Sequence, residues 1–398
     1  MPQLKKQLKE HFGYDAFRPH QEEIIRSILS GKDTLALLPT GGGKSLCYQL
    51  PAMMLSGITV VVSPLIALMK DQVGALKTAG LPAAYLNSSM GKKEERIVMN
   101  AVDKGEVKLL YVAPERLLKP DFLGFMAGRN ISLIAIDEAH CISEWGHDFR
   151  PEYRNLYTIR EHWSGVPVIA LTATATRKVR DDIVRQLAFS DHTSITGSFN
   201  RPNLYYEIRA KDNAYYDVLD YLERNKKHTG IIYCHSRASA DRLARELTSD
   251  GVDTLPYHAG LTTKERTHNQ ELFMGGGVRV ITATIAFGMG IDKSDIRFVM
   301  HYDLPKNIEG YYQETGRAGR DGKPSHCILF YSSHDLMKHK YFIDQMLNRG
   351  RAAVCEAQLN AIATFCTSYR CRRSMMLQYF GEQQIIPNCG NCDICSPK

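Results

Sequence analysis

Hydrophobic positions along the chain gather into short β-branched runs, each closed by turn residues and separated from the next by a longer stretch of helical periodicity. In the first half the runs are TLALLP (34–39), ITVVVS (58–63), VKLLYVA (107–113), ISLIAID (131–137) and VPVIALTAT (166–174). A run that is apolar throughout, rather than alternating, suits a strand buried on both faces, and alternation with helices predicts parallel strands joined by crossovers. After the polar segment Ser198–Asn203 the pattern restarts, with GIIYCHS near 230, VRVITAT near 278, IRFVMHYD near 296 and CILFYS near 327. Two α/β units joined near residue 200 are therefore predicted. From about Ser333 the strand pattern stops, and two helical stretches, roughly 335–348 and 352–369, lead into a cysteine cluster. The expected divisions are 1–199, 200–332 and a small third module, 333–398. No low-complexity tract or short-period repeat interrupts them.

Composition narrows this only a little. A chain of 398 residues with 44% hydrophobic content can build two or three compact domains. Fifty Lys and Arg against 43 Asp and Glu leave a formal charge of +7, an excess too dilute to identify a polyanionic partner by itself. The start, Met-Pro-Gln-Leu-Lys-Lys, runs into an amphipathic stretch with no apolar signal core, and no window reaches the roughly 18 apolar residues that span a bilayer. A cytoplasmic protein without a membrane segment is expected. Cys47, Cys141, Cys234 and Cys327 lie far apart in apolar or motif-rich segments, where reduced, buried thiols are expected.

The first run is followed by Thr40-Gly41-Gly42-Gly43-Lys44-Ser45 and then by the apolar helix start LCYQLPAM. A glycine-rich loop opening a helix turns backbone N–H groups and the helix dipole towards phosphates, with Lys44 reaching the β/γ oxygens and the Ser45 hydroxyl binding Mg²⁺. The strict phosphate-loop pattern wants Gly where this chain has Leu38, a departure that shifts the reading from kinase or GTPase towards helicase. At the end of a later run stands Asp137-Glu138-Ala139-His140. Ligands of open α/β sheets gather at the carboxyl ends of strands, so these acids are expected to face the glycine loop. Asp137 then suits Mg²⁺ and Glu138 suits the attacking water.

DEAH continues as CISEWGHDFRPEY and is joined by FGYDAFRPHQEEI (12–24), SPLIALMKDQV (63–73), LTATAT (171–176), IIYCHSR (231–237), TIAFGMGIDK (284–293) and YYQETGRAGRDG (311–322). In that order, over nearly the whole chain, these segments resemble the catalytic core of the RecQ family of superfamily-two DNA helicases. The resemblance implies two tandem RecA-like parallel-sheet lobes, ATP as cofactor and movement 3′ to 5′ along DNA in recombination and repair. It puts Tyr14, Arg18 and Gln21 on the adenine base, where an aromatic face, a guanidinium and a carboxamide suit a purine. Arg320 becomes the arginine finger, with Arg317 beside it, although paired arginines on a helix are also commonly a solvated face. The segment Trp145, Gly146, His147, Asp148, Phe149 and Arg150 suits stacking on exposed bases, with Arg150 on phosphate; Trp145 as ordinary packing is the competing reading. Thr172, Ala173 and Thr174 sit where hydroxyls can bridge the nucleotide site to the strand-binding surface. Ser63 with Pro64, His235 with Arg237, and Thr284 are the further phosphodiester contacts the family's pattern suggests.

Cys371, then 17 residues, then Cys389-x₂-Cys392-x₂-Cys395 supplies four thiolates, the number that closes a tetrahedral structural zinc site. An iron–sulfur string would expect a further Cys followed by Pro, and here Ser396-Pro397-Lys398 ends the sequence. Cys366 is the alternative to Cys371 as ligand. Arg370, Arg372 and Arg373 are candidates for holding DNA or for solvated helix charge. The expected partners are single-stranded DNA and duplex junctions, with a single-strand-binding protein and repair factors possible and a monomeric chain favoured. Many family members continue into a winged-helix domain and a helical DNA-binding domain. Because this sequence stops after its zinc ligands, a DNA-stimulated translocase with weak unwinding is the alternative expectation, and a nucleotide-switched clamp without turnover is a further one.

Overall fold

The strand-forming runs assemble into two separate all-parallel sheets. The structure is a computed structural model that describes residues 2–87, 90–284, 287, 293–383 and 387–397. These fall into two compact units, Met1–Ser198 and Phe199–Lys398. In the first unit the strands are β1 (Asp33–Leu37), β2 (Ile58–Val62), β3 (Ala83–Leu86), β4 (Leu109–Val112), β5 (Ile131–Ile136), β6 (Val168–Thr172) and β7 (His192–Thr196). Their order across the sheet is β3-β4-β2-β5-β6-β1-β7. All five residues of β2 are buried, and each fully buried Val or Ile there contributes roughly 1.5–3 kcal/mol. Helices cover both faces, with Ile24, Ile28, Tyr48 and Met69 closing one side of the core.

The second unit repeats the plan with β8 (Leu204–Ala210), β9 (Thr229–Tyr233), β10 (Thr254–Tyr257), β11 (Val280–Ala283), β12 (Ile296–His301) and β13 (Ser325–Tyr331), in the order β10-β11-β9-β12-β13-β8. Every strand named from the hydrophobic runs is present. Four others, β3, β7, β8 and β10, were not read from the sequence, and each lies at a sheet edge. An edge strand need not be apolar on both faces, so the signal weakens: β7 reads HTSIT with a single buried residue, and β10 carries Pro256.

Beyond β13 come the helices Ser333–Asp344, Arg349–Thr367 and Arg372–Tyr379, then the cysteine loop. This region belongs to the same compact unit as the second sheet. The arginines after Cys371 explain the attachment, and here the structure corrects both sequence alternatives for two of them. Arg372 and Arg373 are each 4% exposed, so they are neither solvated nor presented to a polyanion. Arg373 donates to Asn200 Oδ1 (2.8 Å) and to the Leu204 carbonyl (2.7 Å), while Arg372 pairs with Asp393 (2.9 Å). Asn391 donates to the Pro202 carbonyl, the Asp393 N–H to the Tyr206 carbonyl, and the Ile208 N–H to Asp393 Oδ2. The cysteine module thereby satisfies the open edge of β8, and Phe380 stacks on Phe199 at 4.5 Å. Among the described residues no helix is long and apolar enough to cross a membrane.

Candidate nucleotide and nucleic-acid site

In the first unit β1 is flanked by β6, and β6 by β5, so the segments that leave their carboxyl ends share one edge of the sheet. Beyond β1, Leu38 continues the ladder by donating to the Thr172 carbonyl (3.2 Å). The chain then turns through Gly41 (φ +79°) and Gly43 (φ +74°) into the helix Leu46–Met54, whose N-cap is Ser45. Both glycines occupy the left-handed region that a side chain disfavours. At Gly43 a Cβ would also collide with the carboxamide of Gln21. That carboxamide is buried. Its oxygen accepts from the Arg18 N–H (2.8 Å), and its nitrogen donates to the Gly43 carbonyl (2.9 Å). The Arg18 guanidinium donates to the Gly41 carbonyl. The Gln21 nitrogen is also 3.5 Å from the Gly42 carbonyl, so the carboxamide is largely spent on the loop, and the second lone pair of its oxygen is what it can offer a base edge. Tyr14 is 57% exposed, and Thr40, Gly42, Lys44 and Ser45 are partly exposed along the loop.

At the end of β5 the Asp137 N–H donates to the Val62 carbonyl (2.9 Å), continuing the sheet by one residue. Glu138 then turns sharply at φ +49°, ψ +44°, with its N–H donated to Asp137 Oδ1 (2.9 Å). The Tyr153 hydroxyl donates to the Asp137 carbonyl (3.1 Å). His140 Nδ1 lies 3.2 Å from Glu138 Oε2 and 3.0 Å from the Thr172 hydroxyl. Burial, and then the Glu138 charge, push the Asp137 carboxyl up to about 7, against the opposing pull of Lys44. Burial would raise Glu138 as well, but the hydrogen bond and charge of His140, with Lys44 behind them, hold it at about 2. Burial likewise opposes a charge on His140, yet Cys141 and Glu138 raise it well above the ordinary imidazole range. The two acids therefore differ: Glu138 is held ionised, and Asp137 carries the strain of like charge. The His140–Thr172 link and the Tyr153 contact were not read from the sequence. A histidine two residues beyond the acid pair was the available signal.

The loop that follows is built inward and outward at once. Trp145 is 39% exposed, with the Lys178 ammonium 3.0 Å from its ring centre, so ordinary core packing does not describe it. His147 stacks on His140 at 4.3 Å. Arg150 reaches Asp148 Oδ2 (3.1 Å) and the Pro64 carbonyl (3.0 Å), so a phosphate would have to compete with partners it already holds. Phe149 is half-buried. Ser63 is 1% exposed, which leaves its hydroxyl inside the protein. Thr172 and Thr174 are buried too, with Thr172 Oγ1 accepting from the Thr174 N–H (3.2 Å). Asp182, from the helix Arg177–Gln186, is 2% exposed and accepts from the Ser143 hydroxyl (2.7 Å) and from Arg154 (3.4 Å), fixing the base of the loop. No sequence feature pointed to Asp182.

In the second unit Arg317 and Arg320 follow the helix Ile308–Thr315. Arg317 is 7% exposed and donates to the Tyr233 hydroxyl, whereas Arg320 is the more accessible of the two. Arg201 holds this turn through the carbonyls of Gly316 (3.2 Å) and Ala318 (2.9 Å), a role the sequence did not disclose. Arg237 and His235 are exposed, and Thr284 donates its N–H to the Tyr257 carbonyl (3.2 Å). Most of TIAFGMGIDK lies outside the described residues. The sulfurs of Cys371, Cys389, Cys392 and Cys395 all lie within 4.8 Å of one another, and Cys366 is not among them. Cys371 Sγ accepts the Ser374 N–H (3.5 Å) and Cys389 Sγ the Asn391 N–H (3.4 Å), the bonding that thiolate ligands take from backbone.

Two parallel-sheet lobes, the first with a glycine loop and a DEAH turn on one edge, define the class as a superfamily-two helicase core. The chain matches the DEAD/DEAH box helicase model over residues 18–182, the helicase conserved C-terminal domain over 211–322 and the RecQ zinc-binding model over 333–396. It is 47% identical over 385 residues to the ATP-dependent DNA helicase RecQ of Pasteurella multocida, covering 96% of this chain and 61% of that protein. It is 43% identical to the RecQ of Bacillus subtilis (97% and 66%) and 41% identical to the ATP-dependent helicase SGS1 of Saccharomyces cerevisiae (98% and 28%). Among solved structures, S. cerevisiae Dbp5 bound to RNA and ADP BeF3 superposes with a TM-score of 0.69 at 17% identity, covering 96% of this chain and 92% of that one. The Mycobacterium smegmatis helicase Lhr bound to ssDNA and AMP-PNP gives 0.66 at 19% (94% and 55%). The chain belongs to the RecQ family of helicases, with the family's zinc-binding domain at its C-terminal end. It spans about six-tenths of the length of the bacterial relatives it matches.

Proposed function

We propose that the chain is an ATP-dependent DNA helicase core that moves 3′ to 5′ along single-stranded DNA and separates duplex ahead of it. The observation that supports this best is the edge of the first sheet, where Lys44, the acid pair and the His140–Thr172 link meet the root of the loop bearing Trp145. On this reading Tyr14, Arg18 and Gln21 hold the base, and Thr40, Gly41, Gly42, Gly43 and Lys44 hold the phosphates through backbone N–H groups and one ammonium. Ser45 and Asp137 would hold Mg²⁺, which supplies charge neutralisation on the β/γ oxygens; an uncompensated carboxylate beside Lys44 fits that cation. Glu138, ionised and oriented by His140, accepts the proton of the attacking water. Arg320, with Arg317, stabilises charge on the transferring phosphoryl group.

Trp145, His147, Phe149 and Arg150 take single-stranded DNA by stacking and charge, with Arg237 and Thr284 on the backbone. Because His140 touches both Glu138 and His147, strand binding at the loop has a direct physical route to the general base. The four cysteines hold Zn²⁺ and so fix the module against β8. DNA is the partner, the chain acts as a monomer, and its setting is the cytoplasm.

The test is ATP hydrolysis with single-stranded DNA, single-stranded RNA, duplex DNA and no polymer, alongside strand displacement on a tailed duplex. Stimulation by single-stranded DNA with displacement from a 3′ tail is expected. Turnover without displacement supports the translocase, and nucleotide binding without turnover supports the clamp.

A further inference from the structure

Among the described residues two clusters present donor atoms suited to a metal ion, and the cysteine module is one of them. The second lies in the first unit, where a nitrogen of His140, the sulfur of Cys141 and a carboxylate oxygen of Asp148 all lie within 4.8 Å of one another. Cys141 Sγ is 3.7 Å from His140 Nε2 and 3.9 Å from Asp148 Oδ2. In a tetrahedral centre with metal–sulfur bonds of about 2.3 Å and metal–nitrogen or metal–oxygen bonds of about 2.0 Å, sulfur stands about 3.5 Å from the other ligands. Movements of a few tenths of an ångström therefore bring the sulfur to ligand spacing from both partners, and all three donors already lie within 4.8 Å of one another.

The surroundings prepare each ligand. His140 Nδ1 faces Thr172 Oγ1 (3.0 Å) and Glu138 Oε2 (3.2 Å), acceptors that keep a proton on Nδ1, so that loss of the Nε2 proton frees a lone pair towards the sulfur. A carboxylate behind a ligating histidine is the usual outer partner of such sites. The stacked His147 ring fixes the plane of His140, and Arg150 orients Asp148 through Nε (3.2 Å) and Nη2 (3.1 Å), both on Oδ2, the oxygen 3.9 Å from the sulfur. The reaction assigned to the phosphate site uses neither Cys141 nor Asp148.

We propose that His140, Cys141 and Asp148 form a binding site for a thiophilic divalent cation of the zinc class, separate from both the cysteine module and the cation of the nucleotide. Binding displaces two protons to solvent, the thiol proton of Cys141 and the Nε2 proton of the His140 imidazolium, and takes His140 as neutral imidazole through Nε2. A thiolate ligand discriminates against Mg²⁺, which keeps to oxygen donors. A cation on Nε2 strengthens the Nδ1–H bond to Glu138 and so weakens that carboxylate as a base. It also staples the two ends of the Cys141–Asp148 loop. The site is thus a point at which a transition metal would slow hydrolysis.

The experiment titrates Co²⁺ into the full zinc-loaded chain, free of nucleotide and DNA, following thiolate-to-cobalt charge transfer and ligand-field bands while zinc content is measured in parallel. One further cobalt per chain with a thiolate band, bleached by added Zn²⁺ or Cd²⁺ while the original zinc stays in place, is expected. Cys141→Ser should remove the band and weaken binding by at least about 100-fold, above the usual loss for an outer-shell partner. Asp148→Asn, close in shape, should keep the band and weaken binding by about 10-fold or more. The proposal is overturned by an unaltered chain that shows no band with cobalt in excess. It is equally overturned by a band that survives Cys141→Ser, or by one that grows only as zinc leaves the module. Should Cys141→Ser fail to fold, unchanged affinity in Asp148→Asn is decisive against it.

Discussion

Glu138 occupies the left-handed backbone region, at φ +49°, which costs a residue with a side chain roughly 1–2 kcal/mol. Its N–H on Asp137 and its carboxylate beside His140 hold it there. Glu138→Gln keeps the shape and removes the base. Turnover with single-stranded DNA should fall by at least about 100-fold while nucleotide affinity stays near that of the unaltered chain, measured by single-turnover hydrolysis and nucleotide titration. Retained turnover removes Glu138 from the chemistry. Asp137 makes a prediction of opposite character. Its carboxyl rises from an ordinary 3.8 to about 7, so the unfolded chain gives up the proton first, and the folded state loses stability as pH climbs from about 4 to about 7. Glu138, lowered from 4.5 to about 2, builds its stabilisation as pH rises from about 2 to about 4.5 and then keeps it constant across the rest of that window. Asp137→Asn should therefore raise the melting temperature of the nucleotide-free chain by an amount that grows across this range and levels off above it. Thermal melts at several pH values check this, and a gain that shrinks with rising pH would reverse the assignment.

At the scale of elements, the aromatic loop is anchored from below by one helix. Asp182 joins Ser143, Arg154 and Arg185, so three segments depend on one buried carboxylate. Asp182→Asn keeps the volume and weakens those charge-assisted bonds, each worth roughly 1.5–3 kcal/mol. Stimulation of hydrolysis by single-stranded DNA should drop about tenfold or more, while DNA-independent turnover changes little; equal loss of both would make Asp182 a part of the general fold only. The buried strands were readable because a strand covered on both faces must be apolar at every position. The edge strands were not, since their residues answer to one neighbour and to water. The same reasoning explains the cysteine module, whose Arg373, Asn391 and Asp393 bind the edge of β8. Stripping the zinc with a chelator should therefore lower the melting temperature of the second unit as well as unfold the module. Cysteine-to-serine substitution at Cys392, whose sulfur is fully buried, should do the same. An unchanged melt after metal removal, with zinc loss verified, would show that the module folds without it.

For the molecule as a whole, the proposed chemistry draws on both units: Lys44, Asp137 and Glu138 belong to the first, Arg317 and Arg320 to the second. Arg320→Ala should reduce DNA-stimulated turnover by about 1,000-fold or more, the effect of losing an arginine that stabilises phosphoryl transfer, with DNA binding retained. Turnover that survives it would confine the chemistry to the first unit. The chain of residues by itself determined the two α/β units, the glycine loop, the DEAH turn and the four-cysteine set, because each rests on local spacing: a backbone turn, a strand end, a metal's coordination number. Only the tertiary structure decided which side chains are available. It committed Gln21 partly to the glycine loop, closed Ser63 inside the core, engaged Arg150 with Asp148, and turned Arg372 and Arg373 from candidate nucleic-acid contacts into the fastening of the zinc module. Each of those outcomes depends on a partner far away in sequence. A cation or a carboxamide carries no local mark of whether it will meet that partner or a ligand.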